Sequence, residues 1–325
     1  MKAVWYERNG PARDVLQFGE LPDPRPGPGE VRVRLGASGV NPSDCKTRSG
    51  LRPMQFPRII PHSDGAGFID EVGAGVNADR VGERVWIWNA QWGRPFGTAA
   101  EYIALPSPQA VRLPHSVALE AGACLGIPAL TAYRAVTIDG SCEGRSVLVS
   151  GGAGSVGHYA IQFAKLLGAK LVIATVSSPE KASLARAAGA DQIIDYKSEP
   201  LADRVKELTG GRGVDRVVEV DLAGNGRSLP AIIAREGLCV AYGSNAQQVA
   251  FDFGPMIMSG AAIRFFIVYE LPASARAQAI SAINNWLECA ELQHTIAAVL
   301  PLKDTIEAHE MLEQGRAIGK IVVRP

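Results

Sequence analysis

The run Ser146-Val-Leu-Val-Ser-Gly-Gly-Ala-Gly-Ser-Val-Gly157 leaves this chain the least freedom. An apolar strand comes directly before a G-x-G-x-x-G pattern at Gly152, Gly154 and Gly157, and a helical run, Tyr159 to Leu167, follows it. Glycines at that spacing let the backbone turn tightly and come close to a pyrophosphate. The charge then rests on free N–H groups at the helix start, around Ser155 and Val156. A tight strand-to-helix turn with no ligand is the competing reading, but strand, turn and helix agree in context.

The stretch around this turn alternates strand and helix. The strands are read at Ser146 to Ser150, Lys170 to Thr175, Gln192 to Asp195, Arg216 to Val220, Leu238 to Tyr242 and Ala262 to Val268. They are apolar without polar alternation, which marks strands buried on both faces in a parallel, doubly wound sheet of the Rossmann type. A helix kinked by Pro128 is expected over Glu120 to Val136. Before it, short strands separated by turn clusters form a β-rich lobe. The tail after residue 267 is too small for a domain of its own and is expected to return to that lobe.

The second strand of a unit that binds NAD ends in an acid that holds the ribose hydroxyls. Here Leu171 to Thr175 is followed by Val176, Ser177, Ser178, Pro179, Glu180 and Lys181, with Tyr196 after the third strand. Hydroxyls and a lysine suit a 2′-phosphate, so NADPH is the expected cofactor. Taken singly, Lys181 and Tyr196 read equally well as a solvated helix residue and a surface aromatic.

With 325 residues the chain exceeds the size of a single core. Lysine plus arginine number 33 and aspartate plus glutamate 33, so no net field draws nucleic acid or an anionic membrane. Cys45, Cys124, Cys142, Cys239 and Cys289 lie apart, with no metal-type spacing, and read as free thiols in a reducing compartment. Met1 to Asp14 lacks a signal-like apolar stretch, which points to a cytoplasmic protein.

Further motifs surround the glycine turn: Gly39-Val-Asn-Pro-Ser-Asp44, Ile60-Pro-His-Ser-Asp-Gly-Ala-Gly67, Val81-Gly-Glu-Arg-Val85, Ala99-Ala-Glu-Tyr102, Ala188-Gly-Ala-Asp191 and Gly319-Lys320. In this order they resemble the zinc-independent quinone oxidoreductase (zeta-crystallin-like) branch of the medium-chain dehydrogenase/reductase superfamily. The resemblance implies a GroES-like β-rich catalytic domain, residues 1–123 and 268–325, and a Rossmann NADPH-binding domain, residues 124–267, with the active site in the cleft. It also implies a homo-oligomer, with dimer and tetramer both open. The run Ile263 to Tyr269 reads as an exposed edge strand that a second copy would cover.

Zinc-dependent members of the superfamily carry a cysteine in the slot that resembles Asn41 and a His-Glu pair in those of Ser63 and Asp64. The third slot, near Gly126, holds no ligand, and Trp86 to Thr98 lacks the four cysteines of a structural site. No metal is therefore expected. Without a Lewis acid, alcohol oxidation is a poor proposal, and the acceptor must already be electrophilic: a quinone or an enone. Hydride addition leaves negative charge on oxygen, which hydrogen-bond donors can stabilise.

Asn41 and Lys46 are the candidate donors, with His62 in reserve. Asp44 is read as an exposed, ionised orienting group, or equally as part of a turn after Pro42. His62 stands where the branch more often has glycine, and filling a polar niche is its competing reading. Trp88 and Trp92 are candidates for a planar-ring pocket, although packing is a tryptophan's commoner fate. Arg48 and Arg52 read as surface charges.

The resemblance places Asn41, Thr131, Gly243, Ser244, Phe266, Val268 and Lys320 at the cofactor. Two rival functions stay in view, a non-enzymatic NADPH-binding crystallin-like protein and, more remotely, an alcohol dehydrogenase.

Overall fold

The computed structural model describes residues 1–325. Fifteen strands run in chain order. The first seven are β1 (Lys2–Trp5), β2 (Gln17–Glu20), β3 (Glu30–Val40), β4 (Asp64–Val72), β5 (Arg84–Ile87), β6 (Tyr102–Pro106) and β7 (Ala110–Arg112). There follow β8 (Ser146–Val149), β9 (Leu171–Val176), β10 (Gln192–Asp195), β11 (Val214–Glu219), β12 (Ile233–Ala241), β13 (Ala262–Phe265), β14 (Ile296–Pro301) and β15 (Lys320–Arg324).

Two compact units result, one of Met1–Ile127 with Ile280–Pro325, the other Pro128–Ala279. The second boundary falls inside the Ala273–Glu288 helix, beyond the expected change at residue 268.

The first unit holds a seven-stranded sheet in the order β14-β15-β3-β4-β5-β7, with β6 also on β3. The tail thus returns to the first lobe, and β15 pairs antiparallel with β3 through Ile321 opposite Val40 and Val323 opposite Ser38. Alternate residues of β3 point into a core of Val31, Val33, Leu35, Ile69, Val85, Ile87, Ile103 and Leu105. A second core gathers Val4, Tyr6, Val40, Cys45, Ile60, Ala308, Ile321 and Val323. Each large aliphatic side chain so enclosed contributes about 1.5–3 kcal/mol.

The second unit is a six-stranded sheet, β10-β9-β8-β11-β12-β13, parallel throughout. In order of appearance this is the 3-2-1-4-5-6 sequence of a doubly wound dinucleotide fold. β8 is buried along its whole length, as strands covered on both faces must be.

Two expectations need correction. The helix expected over Glu120 to Val136 is two helices, Leu119–Gly122 and Leu130–Thr137, joined by a π-helical turn, Leu125–Ala129. Pro128 lies within that turn and has no N–H to continue an α-helical ladder. The edge strand stops at Phe265, and Val268–Glu270 form a 3-10 turn.

Candidate active site

The polar heart of the first unit begins where β3 ends. Asn41 precedes the Pro42–Ser49 helix, and its backbone N–H donates to Asp44 Oδ2 at 2.8 Å. Proline in the first turn and an acid closing back on the residue before it fix the helix start. This helix corrects the picture of Asp44 as an exposed, ionised group: it is only 6% exposed. Burial, then the facing charge of Asp64, pushes its carboxyl up to about 7.

Asp64 opens β4 and is fully buried. Its Oδ1 accepts from the Ile127 N–H at 2.7 Å, and its Oδ2 accepts from Asn41 Nδ2 at 2.9 Å and from Lys320 Nζ at 2.8 Å. Lys320 Nζ also donates to Asn41 Oδ1 at 2.5 Å. These partners settle which way the Asn41 amide faces, because an ammonium only donates and a carboxylate only accepts. The Asp44 carboxyl also shares a side-chain hydrogen bond with Asn41, which draws it into the same cluster.

At two of the metal slots inferred from the sequence, the side chains of Asn41 and Asp64 are engaged by these bonds. A Cβ at Gly126 would lie 2.4 Å from Asp64 Oδ1 and 2.5 Å from the Ile87 carbonyl, so only glycine fits there. No group of three or more His, Cys, Asp or Glu side chains is placed to hold a metal ion.

Of the two readings of His62, cleft donor and filler of a polar niche, its surroundings match the second. It is wholly buried, its Nδ1 2.8 Å from Ser38 Oγ and its Nε2 2.9 Å from His309 Nε2. Burial first, then His309 and Lys320, holds the ring far below the ordinary histidine range, so it is neutral. Lys320, expected at the cofactor together with Asn41, has its ammonium inside this cluster.

Arg48 is no surface charge either. It is buried, with its guanidinium on the Gly10 carbonyl and on Glu313. Lys46 is exposed on the same helix. Trp88 and Trp92 are half-buried: Trp88 Nε1 donates to the Pro108 carbonyl at 3.2 Å, and the exposed Arg52 sits 5.0 Å over the Trp92 ring.

In the second unit, Gly154 precedes the Ser155–Leu166 helix, and no side chain caps the N–H groups of its first turn. Gly157 packs so closely that a Cβ would lie 2.3 Å from the Gly151 carbonyl, and at Gly152 it would lie 2.7 Å from Ala174 Cβ. At Gly154 the nearest atom would be 3.2 Å away, the Gly151 carbonyl. The turn thus presents open N–H groups without a side chain over them, as a pyrophosphate requires.

At the end of β9, Lys181 Nζ donates to Ser177 Oγ at 3.0 Å, and Tyr196, just past β10, is exposed. No carboxylate ends β9. Thr131 is buried in the Leu130–Thr137 helix, Gly243 and Ser244 follow β12, Phe266 is half-exposed and Val268 is buried.

Sequence reasoning missed Ser38, Thr98 and His309, all buried around His62. It also treated Asp64 only as a lost ligand.

Residues 27–115 match the alcohol dehydrogenase GroES-like domain family, and residues 155–285 the zinc-binding dehydrogenase family. A 2-haloacrylate reductase of a Burkholderia species is 32% identical over 340 residues, covering 100% of this chain and 99% of the relative. A quinone oxidoreductase of Pseudomonas aeruginosa is 32% identical over 318 residues, covering 96% of each. The solved structure of Escherichia coli quinone oxidoreductase complexed with NADPH superposes with a TM-score of 0.89 at 27% identity, covering 100% of both chains. Sheet order, glycine turn, vacated metal slots and full-length similarity agree, and the chain belongs to the zinc-independent quinone oxidoreductase branch of the medium-chain dehydrogenase/reductase superfamily.

Proposed function

We propose that this protein is an NADPH-dependent oxidoreductase that reduces quinones or related conjugated carbonyls by hydride transfer without zinc. The observation that carries the reading is the end of β9, where Ser177 and Lys181 form a hydroxyl–ammonium pair and no carboxylate repels a 2′-phosphate. The relatives act on acceptors of this kind: a quinone and a 2-haloacrylate are both conjugated electrophiles.

NADPH, when bound, supplies the hydride. The Gly152 to Gly157 turn holds the pyrophosphate on the N–H groups of the Ser155–Leu166 helix, and Lys181, Ser177 and Tyr196 hold the 2′-phosphate. Lys320 and Asp64 orient the Asn41 amide, the candidate donor to the oxygen on which negative charge gathers. Asp44, its carboxyl raised to about 7, is divided between its protonated and ionised forms at neutral pH. Lys46 is a second donor, Trp88 and Trp92 line the acceptor pocket, and Thr131, Gly243, Ser244, Phe266 and Val268 bind the cofactor.

The protein works in the cytoplasm, a setting that suits five free thiols. It forms a homo-oligomer through the open edge of β13, which carries the exposed Phe265.

The test follows NADPH absorbance with 1,4-benzoquinone, 9,10-phenanthrenequinone, short enones and 2-haloacrylates, with NADH as control. Turnover that favours NADPH is expected. Preference for NADH would overturn the cofactor assignment, and tight NADPH binding with no oxidation would favour the crystallin-like role.

A further inference from the structure

A row of buried side chains in the first unit has no part in the chemistry above. Cys45 Sγ lies 3.4 Å from His309 Nδ1, and His309 Nε2 lies 2.9 Å from His62 Nε2. His62 Nδ1 is 2.8 Å from Ser38 Oγ, which is 2.7 Å from Thr98 Oγ1. Thr98 Oγ1 is in turn 2.5 Å from the Asp64 carbonyl oxygen. All five side chains are buried, and the two imidazole rings meet edge to edge with centroids 5.1 Å apart and planes inclined by 22°.

Counting protons gives the row a direction. A carbonyl only accepts, so Thr98 donates its single hydroxyl proton to Asp64. Ser38 must then donate to Thr98, which leaves His62 Nδ1–H as the donor to Ser38. Burial keeps both rings neutral, with His309 lowered to about 3. A neutral His62 protonated at Nδ1 has a bare Nε2, so His309 donates from Nε2 and its bare Nδ1 accepts the Cys45 S–H. In this order every proton meets an acceptor. The row ends on a carbonyl, which cannot pass a proton on, so it is a fixture and not a proton path.

Both ends touch the Asn41 cluster. Cys45 follows Asp44 in the helix that Asn41 starts, and Thr98 holds the backbone of the residue whose carboxylate holds Asn41. His62, at a φ of 77°, sits in the left-handed region between them. We propose that these five side chains form a hydrogen-bond wire of fixed proton order, and that His62 and His309 are positioning residues for Asn41 and Asp64. The kinetic part of this proposal rests on the reductase reading, whereas the proton order does not.

Thr98→Val keeps the side chain's shape and removes the hydroxyl that sets the direction. Ser38 then turns its proton to His62 Nδ1, His62 donates from Nε2, and His309 donates from Nδ1 to the Cys45 sulfur. Long-range proton–nitrogen correlation spectra at neutral pH read these tautomers directly. The wild type is expected to show Nδ1–H at His62 and Nε2–H at His309, with both switched in Thr98→Val. Cys45→Ala, a change at the far end, is expected to leave both tautomers as in the wild type, and this keeps the test available should Thr98→Val fold poorly.

The opposite wild-type pair, an imidazolium at either ring, a His309 unmoved by Thr98→Val, or tautomers switched by Cys45→Ala would each overturn the wire. In the NADPH assay, Thr98→Val is expected to lower kcat by about fivefold with KM for NADPH held within about twofold. Switched tautomers with unchanged kcat would overturn the positioning role. A wild type that turns over no acceptor counts against the reductase reading alone.

Discussion

Asp44 shows how one carboxyl links burial to pH. Its pKa is about 7 in the fold and 3.8 as a free side chain, so between those values the folded protein keeps a proton that the unfolded chain has released. The stability this contributes is complete below the unfolded value and is lost as pH rises through the folded one. Asn at this position keeps the acceptor for the Asn41 N–H and never ionises. Asp44→Asn is therefore expected to gain on the wild type by roughly 1–3 kcal/mol between about pH 4 and about pH 8, measured from denaturant midpoints. His62 and His309, with lowered pKa values, act in the opposite sense, since their neutral folded forms lose stability as pH falls below 6.5. They are present in both proteins and cancel in the difference.

His62 carries a second residue-scale consequence, through its φ of 77°. Glycine tolerates that conformation and alanine does not, so His62→Gly is expected to be more stable than His62→Ala by about 1 kcal/mol in thermal or denaturant unfolding, although both lose the ring. Equal stability would mean that the turn relaxes once the ring is gone. Little of this cluster was legible in advance. The Asn41-Pro-Ser-Asp44 spacing is a helix-start signature and could have placed Asp44 on a buried first turn. His309 meets His62 across 247 positions and Lys320 meets Asp64 across 256, distances over which no local pattern carries information.

Among the elements, the glycine turn was the most legible, because its backbone constraint is written into adjacent residues. Its glycines are not equivalent. A methyl at Gly157 would run into the Gly151 carbonyl at 2.3 Å, whereas one at Gly154 finds nothing nearer than 3.2 Å. Gly157→Ala is expected to lower thermal stability and abolish NADPH binding. Gly154→Ala should unfold within about 1 kcal/mol of the wild type yet bind NADPH at least about tenfold more weakly in a fluorescence titration, because its methyl stands over the phosphate N–H groups. If both variants bound alike, the glycines would serve only the turn. The strands of the second unit were equally readable, since burial on both faces demands continuous apolar runs. The π-helical turn at Leu125–Ala129 was not, because a proline announces a break without saying how the chain continues.

At the scale of the whole molecule, the parallel sheet ends at β13, with no further strand of this chain paired beyond it. Ala262 is exposed on that strand. Lysine there is a common natural means of blunting an edge, so Ala262→Lys is expected to sediment as a smaller species than the wild type while retaining its fold by circular dichroism. A wild type that already sediments as a monomer would remove the basis for this assembly.

The insertion of β15 between β14 and β3 has a consequence for biosynthesis. Asp64 waits for an ammonium that emerges from the ribosome 256 residues later, after the entire second unit has been made. Nascent chains fold from the amino terminus, and until Lys320 arrives the first lobe holds an uncompensated acid at its centre and an unpaired stretch of β3. A pause in translation before residue 320 would prolong the interval in which the early half stays incomplete.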